Sequence, residues 1–155
     1  MNEQISMFLT DDPSPVKEII ISLQDKAYGM IQSGIKTYEF RRRWKLPAAI
    51  AYIYRSGKKR ELCAFIELGQ PIHGSPSEIA AIAEKMNPGN GSSVEEYFIP
   101  TQGGYAIPIK RFVEFPAISL EELRACGAQP PQYFTYLKNY PLLKKLIEEK
   151  LSNVN

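Results

Sequence analysis

Residues 34–41 have the sequence Gly34-Ile35-Lys36-Thr37-Tyr38-Glu39-Phe40-Arg41, and they are followed directly by Arg42, Arg43 and Trp44. Within this stretch the aromatic side chains of Tyr38 and Phe40 alternate with charged side chains. Because alternate side chains of a strand point to opposite faces, we predict an extended segment with one apolar and one charged side. Cations beside aromatic rings suit a planar, anionic ligand, so a nucleotide or an RNA strand is the first candidate.

The size and charge of the chain limit the kind of protein to which this segment can belong. With 155 residues, of which 44% are hydrophobic, the chain is long enough for one compact domain with its own core. The formal net charge of +2 is too small to indicate nucleic-acid binding by itself. Basic residues do cluster in the first half of the chain, at Lys36, Arg41, Arg42, Arg43 and Lys45 and again at Arg55, Lys58, Lys59 and Arg60. This clustering fits a phosphate-binding surface and, equally, two solvated basic turns.

Residues that bind metals or form disulfides are sparse. Cys63 lies in an apolar run and is predicted to belong to the core, while Cys126 lies at the end of a predicted helix. Their spacing matches neither a disulfide framework nor a zinc site, and His73 is the single histidine. We therefore expect no metal and no cofactor. No apolar run approaches the length of a membrane span and the N-terminus lacks a secretory pattern, so we expect a cytoplasmic protein without membrane contact.

Beyond a polar arm, the chain is predicted to form a mixed α+β domain. Residues 1–15 are predicted to be a flexible arm and linker, because the stretch is polar and ends in a run of Asp, Ser and Pro. Strands are predicted at residues 16–21, 38–41, 49–54, 61–68, 105–109 and 112–115. Their hairpin-length spacing, interrupted by short helices, favours a mostly antiparallel β-barrel of about five or six strands.

Helix starts are predicted where a serine is followed three residues later by an acid. This pattern occurs at Ser22, Ser75, Ser92 and Ser119. Gly34 is predicted to end the first of these helices. A further amphipathic helix is predicted over residues 142–151, within a C-terminal segment (residues 139–155) that packs on the domain or extends from it.

The order helix, G-x-K-x-x-E-x-R and strand resembles the ASCH domain, a relative of the PUA fold. Gly34, Lys36, Glu39 and Arg41 fill all four positions of this motif. The resemblance extends over residues 16–138 and includes the strand at residues 51–54, the helix start at 75–78 and the aromatic turn at 130–134. It implies a PUA-like β-barrel flanked by short helices, in which the motif lines a cleft. It also implies binding of RNA or a nucleotide-like ligand, with regulation of transcription or translation as one use of that binding.

The charged residues of the motif have complementary roles in such a cleft. Lys36 is predicted to meet a phosphate as a point charge, and Arg41 to offer a planar fork of donors. Glu39 is predicted to orient Arg41 or to accept a hydrogen bond from a base amine. Arg42 and Arg43 extend the predicted ligand-binding surface.

The aromatic residues leave two interpretations open. Tyr38, Phe40 or Trp44 could stack on a base, which is worth roughly 1–3 kcal/mol when the ring is exposed. The alternative places Tyr38 and Phe40 in the core and makes Glu39 and Arg41 a structural ion pair. We favour the core for Tyr38 and Phe40, whereas Trp44, beside three arginines, is expected to be exposed and to bind ligand.

A hydrolase is the alternative to a binding module. The resemblance includes small amidohydrolases acting on acylated cytidine, in which the motif lysine works with a threonine three positions later and a glutamate on a later strand. Here the third position after Lys36 is Glu39, while Glu67 matches the glutamate by position. The other enzymatic hypothesis is a ribonuclease that uses Lys36 with Glu39 or Glu67 for acid–base catalysis. We favour binding without catalysis.

The arm carries a separate motif. Gln4-Ile5-Ser6-Met7-Phe8 is similar to the short peptide by which bacterial proteins bind the DNA sliding clamp. In this interpretation Gln4 makes polar contacts and Met7 and Phe8 fill an apolar cleft, so that the protein acts as a clamp-associated adaptor. The alternative is an arm that packs on the barrel.

Overall fold

The computed structural model describes residues 16–154, which form a sheet covered by helices. The strands are Lys17–Leu23 (β1), Tyr38–Arg41 (β2), Ala49–Arg55 (β3), Glu61–Leu68 (β4), Ile72–Gly74 (β5), Gly104–Ser119 (β6) and Thr135–Tyr136 (β7). The α-helices are Asp25–Gln32 (α1), Pro76–Met86 (α2), Gly91–Phe98 (α3), Leu120–Ala125 (α4) and Pro141–Leu151 (α5), and short 3-10 helices span Ile99–Thr101 and Leu137–Asn139. None of the helices within residues 16–154 has the length and apolarity that a membrane crossing requires.

The strands join in one mixed sheet in the order β2-β6-β4-β3-β1-β7, and β5 pairs with the start of β6. The β1–β3 pair is parallel, because the chain crosses over through α1 and β2 between these strands, and the other pairs are antiparallel. β6 pairs with β2 and β5 through its first half and with β4 through its second, which curls the sheet into a half-barrel. The predicted α+β, PUA-like fold class is confirmed, with seven strands in the sheet that residues 16–154 form.

The two faces of the sheet carry separate apolar cores. On one face, Ile19, Ile21 and Ile53 pack with Tyr28 and Ile31 of α1. We call this side the α1 face. On the other side, the α5 face, a second core contains residues from β1, β3, β4 and β6 and from helices α4 and α5: Ile20, Ile50, Tyr52, Tyr54, Leu62, Phe115, Ile118, Leu123, Leu143 and Ile147. A smaller cluster, formed by Ile79 of α2, Phe98 of α3 and Ala106 of β6, lies beneath β2.

β6 is one strand of 16 residues where the sequence predicts two. The prediction took Pro108 and Pro116 as breaks, because proline cannot donate to a strand ladder. In the structure Pro108 lies where β6 changes its partner from β2 to β4, and Pro116 lies in the interval where the β4 register shifts between Ala64 and Leu62. A backbone N–H is not required at either point, so the strand continues through both prolines.

Two of the four predicted helix caps are confirmed. Ser75 and Ser119 each form a complete capping box with the glutamate three residues later. The other two predictions are wrong. Ser22 lies within β1 and its hydroxyl donates to the Pro131 carbonyl, while α1 begins after Gln24. α3 begins at Gly91 after Asn90, one residue before the predicted cap at Ser92.

Candidate nucleic-acid interface

The turn after α1 delivers Lys36 to the start of β2. The chain reverses at Gly34, whose φ of +83° favours glycine because it lacks a Cβ. The backbone N–H of Lys36 then donates to the Met30 carbonyl at 2.9 Å, which holds the chain against the last turn of α1. From there β2 runs antiparallel to β6, with Glu39 opposite Ile107 and Arg41 opposite Tyr105. The local sequence therefore fixes the motif residues relative to one another.

Glu39 bridges the two cations of the motif. One carboxylate oxygen lies 3.3 Å from Lys36 Nζ, and the other lies 3.1 Å from Arg41 Nη2. The side chain of Glu39 is 8% exposed, compared with 13% for Lys36 and 17% for Arg41. The three groups carry one net positive charge, and the carboxylate holds both cations in fixed positions. The predicted grouping of these three residues is present in the structure.

Aromatic rings surround this triad of Lys36, Glu39 and Arg41. Tyr38 and Phe40 point away from Glu39 and pack against the cluster beneath β2, as favoured from the sequence. Lys36 Nζ lies 5.2 Å from the centre of the Phe40 ring. The guanidinium carbon of Arg41 lies 5.9 Å from the Trp44 ring and 5.9 Å from the Tyr133 ring. These distances allow weak cation–π attraction, which further limits the movement of both cations.

Lys36 opens onto a groove between α1 and the end of α2, with a volume of about 420 Å³. We call it the Lys36 groove. Its lining includes the apolar side chains of Ala27, Met30 and Met86 and polar residues that can donate hydrogen bonds, namely Gln24, Lys26, Asn87 and Asn90. Lys36 also lines a smaller depression of about 200 Å³ that Lys110 and Arg111 share. Cations therefore border both openings next to the motif lysine.

A second cavity, about 400 Å³ in volume, lies at the other end of the basic segment. We call it the Arg43 recess. Its lining consists of Arg42, Arg43, Trp44, Lys45, His73, Thr101, Gly103, Tyr105 and Tyr133. The sequence-based list of candidate site residues did not include His73, Thr101, Tyr105 or Tyr133, which line this cavity. His73 and Tyr105 meet through the β5–β6 pairing, and a three-residue strand such as β5 gives too short a pattern for that pairing to be predicted.

No protein-family model matches the chain. The chain is 31% identical over 134 residues to an ASCH domain-containing ribonuclease of Zymomonas mobilis, an alignment that covers 84% of this chain and 90% of that protein. This chain belongs to the ASCH domain family.

The crystal structure of ASCH from Zymomonas mobilis superimposes with a TM-score of 0.72 at 29% identity, covering 85% of this chain and 94% of that one. A serine-to-alanine mutant of the same ZmASCH protein gives a TM-score of 0.73 over 85% of this chain and 95% of that one, at 29% identity.

The exposure predicted for Trp44 in this ASCH domain is wrong. Trp44 is 6% exposed and belongs to the core of the α1 face, with its ring centre 5.5 Å from that of Phe134. Neighbouring arginines do not keep the indole in solvent, because Arg41 lies over the ring and Phe134 packs beside it. The indole Nε1 is buried and has no hydrogen-bond partner among residues 16–154.

The three consecutive arginines have different environments. Arg41 is engaged by Glu39, and Arg42 donates through Nε and Nη2 to the Tyr97 carbonyl at 2.9 and 2.8 Å. The Arg42 guanidinium also lies 3.9 Å from the centre of the Tyr97 ring. The Arg43 side chain is exposed and forms no ion pair or hydrogen bond with any residue in the range 16–154. Of the three, Arg43 is therefore the one whose guanidinium has no partner within this range.

Glu67 is not a partner of Lys36. In the sheet it lies beside Ile50 of β3, a residue of the α5-face core, whereas Glu39 lies beside Ile107 of the α1-face core. The two carboxylates therefore point to opposite faces of the sheet. Glu67 accepts a hydrogen bond from Arg111 Nη1 at 3.3 Å, and burial raises its pKa although Arg111 opposes the shift. Phe65 lies on the α5 face with Glu67, whereas a register shift between Leu62 and Ala64 places Cys63 in the α1-face core.

Cys63 is buried in the α1-face core as predicted, and Cys63 and Cys126 are free thiols. Within residues 16–154 no three His, Cys, Asp or Glu side chains are placed to share a metal ion. The proposed clamp-binding residues Gln4, Met7 and Phe8 lie outside the described residues, so that hypothesis stays a prediction.

Proposed function

We propose that this ASCH domain binds RNA, with Lys36 as the phosphate-binding group at the mouth of the Lys36 groove. The observation that carries the proposal is the Glu39 bridge, which holds Lys36 at the edge of an open groove. An ammonium has three N–H donors, and the contact with Glu39 uses one of them. The name of the Zymomonas mobilis relative, a ribonuclease, supports RNA as the class of ligand.

Salt-dependent binding of a short single-stranded RNA tests this proposal. Phosphate contacts release counterions, so the affinity is expected to fall steeply as salt is added, and fluorescence anisotropy measures it directly. Lys36→Gln is expected to weaken binding about tenfold, equivalent to ~1.4 kcal/mol, and to reduce the salt slope by about 0.7. Lys145→Gln removes the same charge from an exposed position on α5 and serves as the matched control. Equal affinities for the two variants would contradict the role of Lys36.

RNA cleavage is the second candidate function, favoured by the relative's name and by the 3.3 Å contact between Lys36 and Glu39. In such a reaction the Glu39 carboxylate accepts the proton of a ribose 2′-hydroxyl as the 2′-oxygen bonds to the adjacent phosphorus. The bond from that phosphorus to the 5′-oxygen of the next nucleotide breaks, the leaving 5′-oxygen takes a proton from water, and Lys36 stabilises the negative charge on the phosphate. The structural alternative is an ion pair that only orders the groove. An acylcytidine hydrolase fits less well, because Glu39 occupies the position where that chemistry uses a threonine.

An RNA substrate with a single 2′-deoxy nucleotide at the cut site distinguishes cleavage from binding. If Lys36 and Glu39 act on the 2′-hydroxyl, this RNA binds as tightly as unmodified RNA and resists cleavage at that position. Glu39→Gln is then expected to abolish turnover, while N4-acetylcytidine in the same assay remains intact. Binding of unmodified RNA without turnover by the wild type would rule out the enzymatic candidate and leave the binding function.

A further inference from the structure

We infer that the Arg43 recess binds one unpaired nucleotide, with its base against the aromatic rings and its phosphate at Arg43 and Lys45. This inference rests on the proposed RNA binding and names the second site through which a strand is held. The recess has a volume of about 400 Å³, within the usual range for small-ligand pockets. A paired base in a duplex presents an edge and not a face, so a pocket of this kind selects single strands.

The aromatic content of the recess favours a nucleobase. The rings of His73 and Tyr105 are stacked, with centres 4.7 Å apart and an interplanar angle of 24°. Tyr133 is 43% exposed and lines the same cavity. Stacking on such rings is tolerant of base identity because every base has a π-face. The recess therefore provides binding energy without requiring a particular base.

The charges at the recess favour a phosphate. Arg43 and Lys45 are exposed, and neither side chain forms an ion pair or hydrogen bond with another residue in the described part of the chain. Arg41 and Arg42, by contrast, are held by Glu39 and by the Tyr97 carbonyl. Two unengaged cations on one rim match the anionic backbone that accompanies a base.

The walls of the recess are held in place by hydrogen bonds within the protein. The Tyr133 hydroxyl donates to the Arg43 carbonyl, and Thr101 Oγ1 donates to the Gly103 carbonyl at 2.8 Å. Gly103 has a φ of +129° and lies so close to Gly74 that a Cβ at this position would clash with the Gly74 backbone. A preformed wall lowers the ordering cost of binding, which is typical of a ligand site.

Trp44 provides a direct signal for occupancy, because it is the single tryptophan of the chain and lines the recess. We expect 5′-AMP and a single-stranded RNA to change the Trp44 emission on binding, whereas a duplex of the same sequence does so only at much higher concentration. Arg43→Gln is expected to weaken RNA binding about tenfold. The substitution retains the backbone carbonyl of residue 43, which accepts the hydrogen bond from the Tyr133 hydroxyl. His73→Ala, which removes half of the stacked pair, is expected to weaken RNA binding by about 5- to 150-fold.

The outcomes separate this inference from the proposed function. If RNA binding leaves the Trp44 emission unchanged, and Arg43→Gln binds RNA with the same affinity as Lys145→Gln, the recess is not a nucleotide-binding site. The proposed role of Lys36 is preserved in that case. Equal binding of duplex and single strand would also overturn it. A complete absence of RNA binding at low salt would overturn both proposals. Circular dichroism of each variant shows whether the fold is intact, and Lys45→Gln gives a second test if Arg43→Gln does not fold.

Discussion

At the scale of single residues, Glu39 and Glu67 are the two buried carboxylates of the described range, residues 16–154, and they have different charge partners. Glu39 contacts two cations, whereas the one cation of this range that Glu67 contacts is the half-exposed Arg111. Burial favours the neutral form of Glu67 and raises its pKa, with Arg111 opposing the shift. A carboxyl with a raised pKa binds its proton more tightly in the folded chain than in the unfolded chain. Such a group makes folding less favourable as pH rises between the two pKa values.

This linkage predicts the effect of Glu67→Gln. Below the ordinary glutamate pKa the side chain is protonated in both states, so the variant and the wild type are expected to have similar free energies of unfolding. As pH rises through the raised pKa, the wild type is expected to lose stability relative to the variant. Urea unfolding at a series of pH values measures the difference. A wild type that is more stable than the variant at neutral pH would show that the Arg111 ion pair outweighs desolvation.

The sequence predicted correctly which residues lie together only where those residues are close neighbours along the chain. Lys36, Glu39 and Arg41 lie within one short turn and strand, so their spacing fixes their proximity. His73 and Tyr105 are far apart in the sequence and are brought together by strand pairing, which the pattern of neighbouring residues does not predict. Trp44 was misplaced for a related reason, because Phe134, which covers it, lies far along the chain. Burial that depends on distant partners cannot be derived from neighbouring residues.

At the scale of secondary structure elements, identical cap patterns gave different results. Ser119 accepts from the backbone N–H of Glu122, and the Glu122 carboxylate accepts from the Ser119 N–H, which lowers the pKa of Glu122. The same spacing at Ser92 and Glu95 forms no capping box, because α3 already begins at Gly91. There the Glu84 carboxylate accepts from the N–H groups of Gly89 and Gly91 and orders the loop before the helix. A contact from another helix thus replaces the local cap.

Two serine substitutions measure how much each serine contributes to stability at the start of its helix. Ser119→Ala is expected to lower the free energy of unfolding by about 1 kcal/mol, since it removes an acceptor from a helix N-terminus. Ser92→Ala is the matched control and is expected to change stability by less than about 0.5 kcal/mol. Chemical denaturation of the two variants under identical conditions provides the comparison. A loss at Ser92 equal to that at Ser119 would contradict the assignment of the α3 start.

At the scale of the whole molecule, the α5-face core and the two proposed binding cavities lie on different sides of the sheet. The core of the α5 face is completed by Leu143 and Ile147 of the C-terminal helix. Trp44, which lines the Arg43 recess, belongs instead to the core of the α1 face. The α+β class and the C-terminal helix could be predicted from spacing and amphipathic pattern. The assignment of each strand residue to a face could not, because the register shifts in β4 and β6 reverse the simple alternation.

This separation predicts that a core substitution on the α5 face lowers stability without weakening RNA binding. Leu143→Ala removes a side chain that is 0% exposed and is expected to cost about 2–5 kcal/mol, whereas Leu142→Ala, at a position 63% exposed, is expected to cost less than about 0.5 kcal/mol. Because neither leucine lines the Lys36 groove or the Arg43 recess, both folded variants are expected to bind RNA with the affinity of the wild type. Urea unfolding and anisotropy titration on the same samples test the two effects together. A loss of affinity in folded Leu143→Ala would show that packing on the α5 face is transmitted through the sheet to the recess, since the faces share the same strands.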